Sequence, residues 1–260
     1  NYNLIIIFKG LYLNKKFASQ IKSICKNSKL INIFTDNPFD TNYFKDISNK
    51  NILNSITEFD NIFIFSKKIL KLLKKKYPNN SFSYLPFAYD PFYHKKNKNF
   101  KIQYDISFVG TADNERYTLI NSLKEYSIIL AGDGWKKYNL PKNIRYVSNA
   151  DARNYSFLIS KSKFSLNILR KQNKDSHNMK TFEIPSMGGL MLTYRNKEQN
   201  IFFKENQDCL MYSNMNELEN KINFILKNRK KAFKIRKQGY KKVKNHTYTN
   251  RLKYLLKNIY

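Results

Sequence analysis

Two clusters of residues in this sequence have the types and spacing to hold a phosphorylated ligand. The first surrounds Gly110. Glycine is scarce, seven in 260 residues, under half of the ordinary usage of about 7%. Each glycine is therefore expected to answer a backbone need. Five of them, Gly110, Gly132, Gly134, Gly188 and Gly189, lie at or beside the ends of apolar runs. Gly110 ends the run Asp105–Val109, and Thr111 to Arg116 then open a helical pattern. A helix N-terminus after a strand offers free N–H groups and a positive dipole end to a phosphate, and Arg116 adds a charge. The same residues also fit an ordinary strand-to-helix turn with a solvated arginine. The pattern is not a dinucleotide fingerprint, and no Walker lysine follows a glycine loop.

The second cluster follows Asn167 to Arg170, the end of another apolar run. Asp175, His177, Asn178, Lys180 and Glu183 come next, and then Gly188 and Gly189. Lys180 and Glu183 are spaced i, i+3 and share a helix face. Gly188 and Gly189 fall where that helix would end in a left-handed residue. Glu183, when ionised, can accept two hydrogen bonds from a ribose diol. The other reading is a surface Lys–Glu pair worth roughly a few tenths of a kcal/mol.

Around these clusters, short apolar runs alternate with amphipathic stretches. Strands are expected at Leu4–Phe8, Leu30–Phe34, Ile62–Phe65, Phe82–Pro86, Asp105–Val109, Ser127–Ala131, Ile144–Val147, Phe164–Ile168 and Leu190–Thr193. Helical patterns fall at Ser66–Tyr77, Asn114–Glu125 and Asp151–Lys161. Runs that are apolar throughout suit strands buried on both faces. Strand–helix repetition implies an α/β fold with mostly parallel sheets. The polar, lysine-rich stretch His94–Lys101 reads as a boundary. It gives two Rossmann-like domains, 1–97 and 98–260, and a tail from Asn216 of two or three helices. The first domain is short, and the chain begins at Asn1 rather than Met, so either a truncated start or a compact variant is expected.

The composition excludes several classes. Two cysteines, Cys25 and Cys209, far apart, rule against a disulfide framework or a zinc ribbon. No motif holds a metal, and neither metal nor cofactor is expected. The run Leu4–Phe8 is far too short to span a membrane, which takes about 20 residues, and no signal-peptide pattern is present. Cytoplasmic residence follows as the expectation, with peripheral membrane contact allowed. The net charge of +29 attracts anions: nucleic acid, an acidic membrane surface or a phosphorylated ligand. Only eight of the 48 basic residues are arginine. Lysine, Asn, Ile, Phe and Tyr are abundant together, as AT-rich codons would give. A nucleic-acid protein should cluster its charge and use arginine, so a nucleic-acid partner is not expected.

The stretch Phe182-Glu183-Ile184-Pro185-Ser186-Met187-Gly188-Gly189 resembles the nucleotide-sugar motif of GT-B glycosyltransferases, especially the CgeB-like group of family-one relatives. Tyr104–Gly110, Ala131–Trp135, Ser162–Ile168 and His246–Tyr248 with Arg251 resemble further segments of their C-terminal domain. Asp36–Pro38 and Tyr84–Pro91 fit the same group upstream. The resemblance implies a GT-B-like fold and transfer of a sugar from a nucleotide-diphosphate sugar to a glycan, lipid-linked or protein acceptor, without a metal. It also implies roles. Glu183 would bind the ribose. Asp175, eight residues before it, stands where glutamate is usual and would approach the donor sugar. Arg116, six after Gly110, would bind the diphosphate, with Arg170 or Lys180 compensating for Thr111 where a basic residue is usual. Gly110, Gly132, His177, Asn178, Gly188 and Gly189 join the donor side, and Asp133 or Trp135 would border the base. Asp36, or less so His94, would serve as the acceptor base. The alternatives are an inactive nucleotide-binding relative and a basic nucleic-acid-binding protein.

Overall fold

Fully apolar runs form parallel strands, and the stretches between them supply the crossovers that parallel strands require. The computed structural model describes residues 2–40, 49–97, 101–148 and 151–260. In chain order the first elements are β1 (Leu4–Phe8), α1 (Lys15–Ile24), β2 (Lys29–Phe34), α2 (Asn49–Asn54), β3 (Asn61–Ile64), α3 (Lys67–Lys76) and β4 (Phe82–Tyr84). There follow β5 (Tyr104–Val109), α4 (Asn114–Ser122), β6 (Ile128–Ala131), β7 (Ile144–Val147), α5 (Ala152–Ser160), β8 (Ser162–Asn167) and α6 (Lys180–Ser186). The chain ends with β9 (Met191–Tyr194), α7 (Lys197–Phe202), β10 (Leu210–Tyr212), α8 (Met215–Lys227), α9 (Arg229–Lys242) and α10 (Tyr248–Lys257).

Two units result, one up to Phe87 together with Arg251–Tyr260, the other Ala88–Asn250. The first holds a parallel sheet in the order β1-β2-β3-β4. Ser66 caps α3 by accepting from the Ile69 N–H, and α3 turns Ile69 and Leu73 inward against Leu30, Ile62 and Ile64. On the other face Leu255 and Ile259 pack with Ile31, Ile33 and Phe63. The division comes at Phe87 rather than at residue 97 for a backbone reason. The Tyr89 N–H donates to the His246 carbonyl and the Tyr248 N–H to the Tyr89 carbonyl, each at 3.1 Å. The segment after Phe87 is thereby fastened within the second unit. Part of the expected boundary stretch, 98–100, lies outside the described residues.

The second unit holds a six-stranded parallel sheet in the order β10-β9-β8-β5-β6-β7. Its core joins Ile106, Phe108, Ile128, Leu130, Phe164 and Leu166 of the strands to Leu218, Ile222 and Ile235 of the terminal helices. No helix among the described residues is long and apolar enough to cross a membrane.

Candidate functional site

The strand order of the second unit locates a crevice. From β5 the chain proceeds to β6 and β7 on one side, then returns to β8 on the other. Ligands of open α/β sheets bind outside the carboxyl ends of strands at such a switch point. Arg116 straddles it. One terminal nitrogen, Nη1, donates to the Thr111 carbonyl after β5 at 2.8 Å, and Nη2 donates to the Ile168 carbonyl after β8 at 3.0 Å. Arg116 is only 6% exposed. Burial pushes its pKa down, the Asp113 carboxylate opposes that, and Arg170 adds to it.

The expected anion site at the start of α4 is in use in part. Asp113 Oδ1 accepts from the Arg116 N–H at 2.9 Å. The Gly110 N–H donates to the Ala131 carbonyl and the Ala112 N–H to the Asp133 carbonyl, each at 2.8 Å. Gly132 is required by close approach. Its φ is +122°, and a Cβ there would lie 2.4 Å from the Gly110 oxygen. Trp135 is fully buried, and its Nε1 donates to the Gly110 carbonyl at 2.7 Å. It braces the loop from inside and presents no face to a base. Asp133 is exposed beside it.

Helix α6 brings the second cluster to the same crevice. A buried polar network seats it. Asn178 Nδ2 donates to Asn167 Oδ1 at 2.9 Å, the Thr181 N–H to Asn178 Oδ1 at 3.2 Å, and Gln199 Nε2 to Thr181 Oγ1 at 3.2 Å. Asn178 is thus spent on holding the helix start. Lys180 and Glu183 stand on the seated helix. Burial lowers the Lys180 pKa; the Glu183 carboxylate opposes this, and the Arg116 and Arg170 cations lower it further. Burial raises the Glu183 pKa, against the pull of Lys180 and His94. His94 Nε2 lies 3.5 Å from Glu183 Oε1. Tyr155, edge-on to His94, is buried, and its hydroxyl has no hydrogen-bond partner among the described residues. Burial, with Glu183 nearby, holds that hydroxyl's pKa well above the ordinary phenol value.

The structure thus gathers Arg116, Arg170, Lys180 and Glu183, with Gly110, Thr111 and Gly132 at the strand ends. Other expected residues go elsewhere. His177 is fully buried between Phe182 and Phe202, with Nδ1 3.3 Å from Glu198 Oε1. Gly188, with φ +75°, and Gly189 close α6 at its far end, about 10 Å along the axis from Lys180. The Gly188 carbonyl there accepts from Arg236 Nε. Asp175 is exposed, in a turn held by Asn196 Nδ2 donating to the Lys174 and Ser176 carbonyls. Asp36 lies in the first unit, with an oxygen 2.7 Å from Lys9 Nζ. Nothing in the sequence singles out Tyr155. Asn167 has one signal, a polar residue closing an apolar run.

A family model described as glycosyl transferase-like matches residues 116–257, more than half of the chain. The chain belongs to the glycosyl transferase-like family. No curated protein matches the sequence at a significant level. Solved structures similar to it include sucrose-phosphate synthase from Thermosynechococcus elongatus, 12% identical with a TM-score of 0.74 over 99% of this chain and 74% of that one. TarM is 11% identical with a TM-score of 0.73 over 98% of this chain; the match spans 54% of TarM. HepE from Anabaena, solved with UDP-glucose, is 10% identical with a TM-score of 0.71 over 99% of this chain and 78% of HepE. These likenesses show a shared fold, GT-B, and at such identities the fold alone. The family match begins at Arg116 and takes in α6 with Lys180 and Glu183.

Proposed function

We propose that the protein transfers a sugar from a nucleotide-diphosphate sugar to a glycan, lipid-linked or protein acceptor. The observation that carries this reading is the crevice outside β5 and β8, where Lys180, Arg170 and Arg116 act on one another beside a buried carboxylate, Glu183. The chemical task is to stabilise the negative charge that grows on the departing diphosphate, and preorganised cations in a water-poor site do this best. Lys180 is poised for it. Its charge is disfavoured by burial and by two arginines, so an arriving diphosphate relieves the strain. Arg170, the more exposed of the two arginines, closes over the phosphates. Glu183 takes the ribose hydroxyls, and accepting from both requires it to be ionised, against the upward push of burial on its pKa. These cations perform the charge neutralisation, and the proposed transfer needs no metal. Asp175 is assigned to the donor sugar on its spacing from Glu183 alone. Asp36 is assigned as acceptor base, a role that requires Lys9 to release it. HepE and GtfA, solved with UDP-glucose and with UDP and GlcNAc, make uridine nucleotides the first to try. Asp175, standing where glutamate is usual, favours the second reading, a relative that binds nucleotide without transfer.

The test is a thermal-shift panel of UDP, GDP, ADP, CMP and dTDP, since a ligand that binds only the folded state raises stability by mass action. One nucleotide should raise the Tm of the wild type. Glu183→Gln should abolish that rise and leave the Tm of the free protein close to wild type, because a neutral isostere replaces a carboxylate that burial already disfavours. An unchanged shift removes Glu183 from the ribose, and no shift with any nucleotide overturns the donor assignment. A shift without release of sugar from any matching donor selects the second reading.

A further inference from the structure

The second unit has a pocket at the other end of its sheet. Ile102 precedes β5, Lys163 is the second residue of β8, and Ile225 and Phe233 come from α8 and α9; all line one cavity with Arg229 and Lys230. Its volume is about 490 Å³, within the range of ~300–1,000 Å³ usual for ligand pockets. It lies at the amino ends of the strands, away from the crevice of Lys180 and Glu183. Lys163 is committed to Asp105 at 2.6 Å, so the charge at the mouth comes from α9. That helix carries eight basic residues and no acidic one among its 14, six of the eight being lysine. Ala232, Ile235 and Gly239 face the core, and Arg229, Lys230, Lys231, Lys234 and Lys237 face outward. Phe233 stands among them, 64% exposed.

We propose that this face docks on an anionic lipid bilayer. Head-group phosphates meet the outward cations of α9, Phe233 enters the acyl region, and the pocket receives one lipid chain. Lysine-rich amphipathic helices hold such surfaces by charge and apolar burial together. A nucleic-acid partner would be served by arginine forks, and the apolar part of the pocket, Ile102, Ile225, Ala232 and Phe233, matches an acyl chain rather than a phosphodiester backbone. The assignment stands apart from the donor site, and each can fail with the other intact.

The experiment is co-sedimentation with vesicles of phosphatidylcholine alone and of equimolar phosphatidylcholine and phosphatidylglycerol. Binding is expected to the second only, falling with added salt. Two variants are compared, Arg229→Glu with Lys230→Glu, and Phe233→Ser. Each should lower vesicle partitioning on the order of tenfold, with the Tm and any nucleotide-induced shift retained. Acidic residues in the first turn of α9 suit the helix dipole, so the fold is not at risk. Lys74→Glu with Lys75→Glu, on exposed α3, removes the same charge elsewhere and should retain binding. Equal loss in that control, full binding by Phe233→Ser, or preference for a single-stranded oligonucleotide over the vesicles overturns the proposal.

Discussion

Arg116 is open to two roles, the proposed ligand for the diphosphate and a strut across the switch point, and its burial rules out the solvated arginine that the sequence also allowed. Its guanidinium donates to the Thr111 carbonyl at 2.8 Å and the Ile168 carbonyl at 3.0 Å, so it ties the loop after β5 to the loop after β8. Hydrogen bonds to a charged donor contribute about 1.5–3 kcal/mol each. Arg116→Met keeps much of the volume and removes both, a loss of about 3–6 kcal/mol. For a chain of this size 1 kcal/mol is about 2–4 °C in Tm, so the free protein should melt roughly 6–24 °C lower. Arg116→Lys keeps the charge, but a single ammonium cannot fork between two carbonyls. It should recover less than half of the loss. The assay is thermal unfolding by circular dichroism without any nucleotide. A Tm unchanged in Arg116→Met refutes the strut, and full recovery in Arg116→Lys shows that charge rather than geometry matters there.

Two more outcomes follow from the coordinates. Gly132→Ala would set a Cβ 2.4 Å from the Gly110 oxygen at a φ of +122°. Strain and overpacking together should cost about 2–4 kcal/mol, and nucleotide affinity should fall because the Gly110 loop must move; a variant that melts and binds like wild type contradicts this. Arg195 donates to both oxygens of Glu205 at 2.7 Å and also bonds Glu217. Hydrogen bonding from Arg195 holds the Glu217 pKa down at about 2, against an ordinary 4.5. A lowered carboxyl pKa stabilises above the unfolded value, and that gain is lost as pH falls through the folded one. The stability gap between wild type and Arg195→Met should therefore be full above pH 4.5 and shrink towards pH 2, as chemical denaturation across that range will show; a constant gap would count against the pairing.

The fold was legible where short runs rich in β-branched and aromatic residues mark strands. Leu4–Phe8 and Ile144–Val147 read as apolar runs, and the strands have those bounds. Where polar residues enter the sheet, the reading slipped. β8 begins at Ser162 rather than Phe164, because Ser162 pairs with Tyr104 of β5, and further in Ser165 is opposite Ser107 with their hydroxyls 2.6 Å apart. A single sequence shows neither partner. β10 is three residues long, too short for a period to show. α1 is a half-exposed helix with one buried residue, Ala18, and its pattern did not stand out. At the site, the local spacings of Lys180, Glu183 and Arg116 could be read, since helix geometry fixes them. The fates of Trp135 and His177 could not, because both are decided by distant partners, Gly110 for one and Glu198 with Phe202 for the other.

The net charge of +29 illustrates the same limit and a way past it. As a sum it fits genomic bias, a lipid surface or a phosphate site equally well. Sorted by residue type, it divides. Four of the eight arginines reach inward to fixed oxygens: Arg116 to two loop carbonyls, Arg195 to two glutamates, Arg236 to the Gly188 carbonyl, and Arg251 to the Pro86 and Phe87 carbonyls. A planar fork with five donors suits paired acceptors, and its weaker hydration makes burial affordable. Lysine, a strongly hydrated point charge, is mostly kept at the surface, with six lysines each on α3 and α9. Lys180 is the departure, a lysine that burial and two neighbouring arginines hold at a lowered pKa. A cation kept where its charge is disfavoured contributes little to folding, and an anion in the crevice would favour that charge.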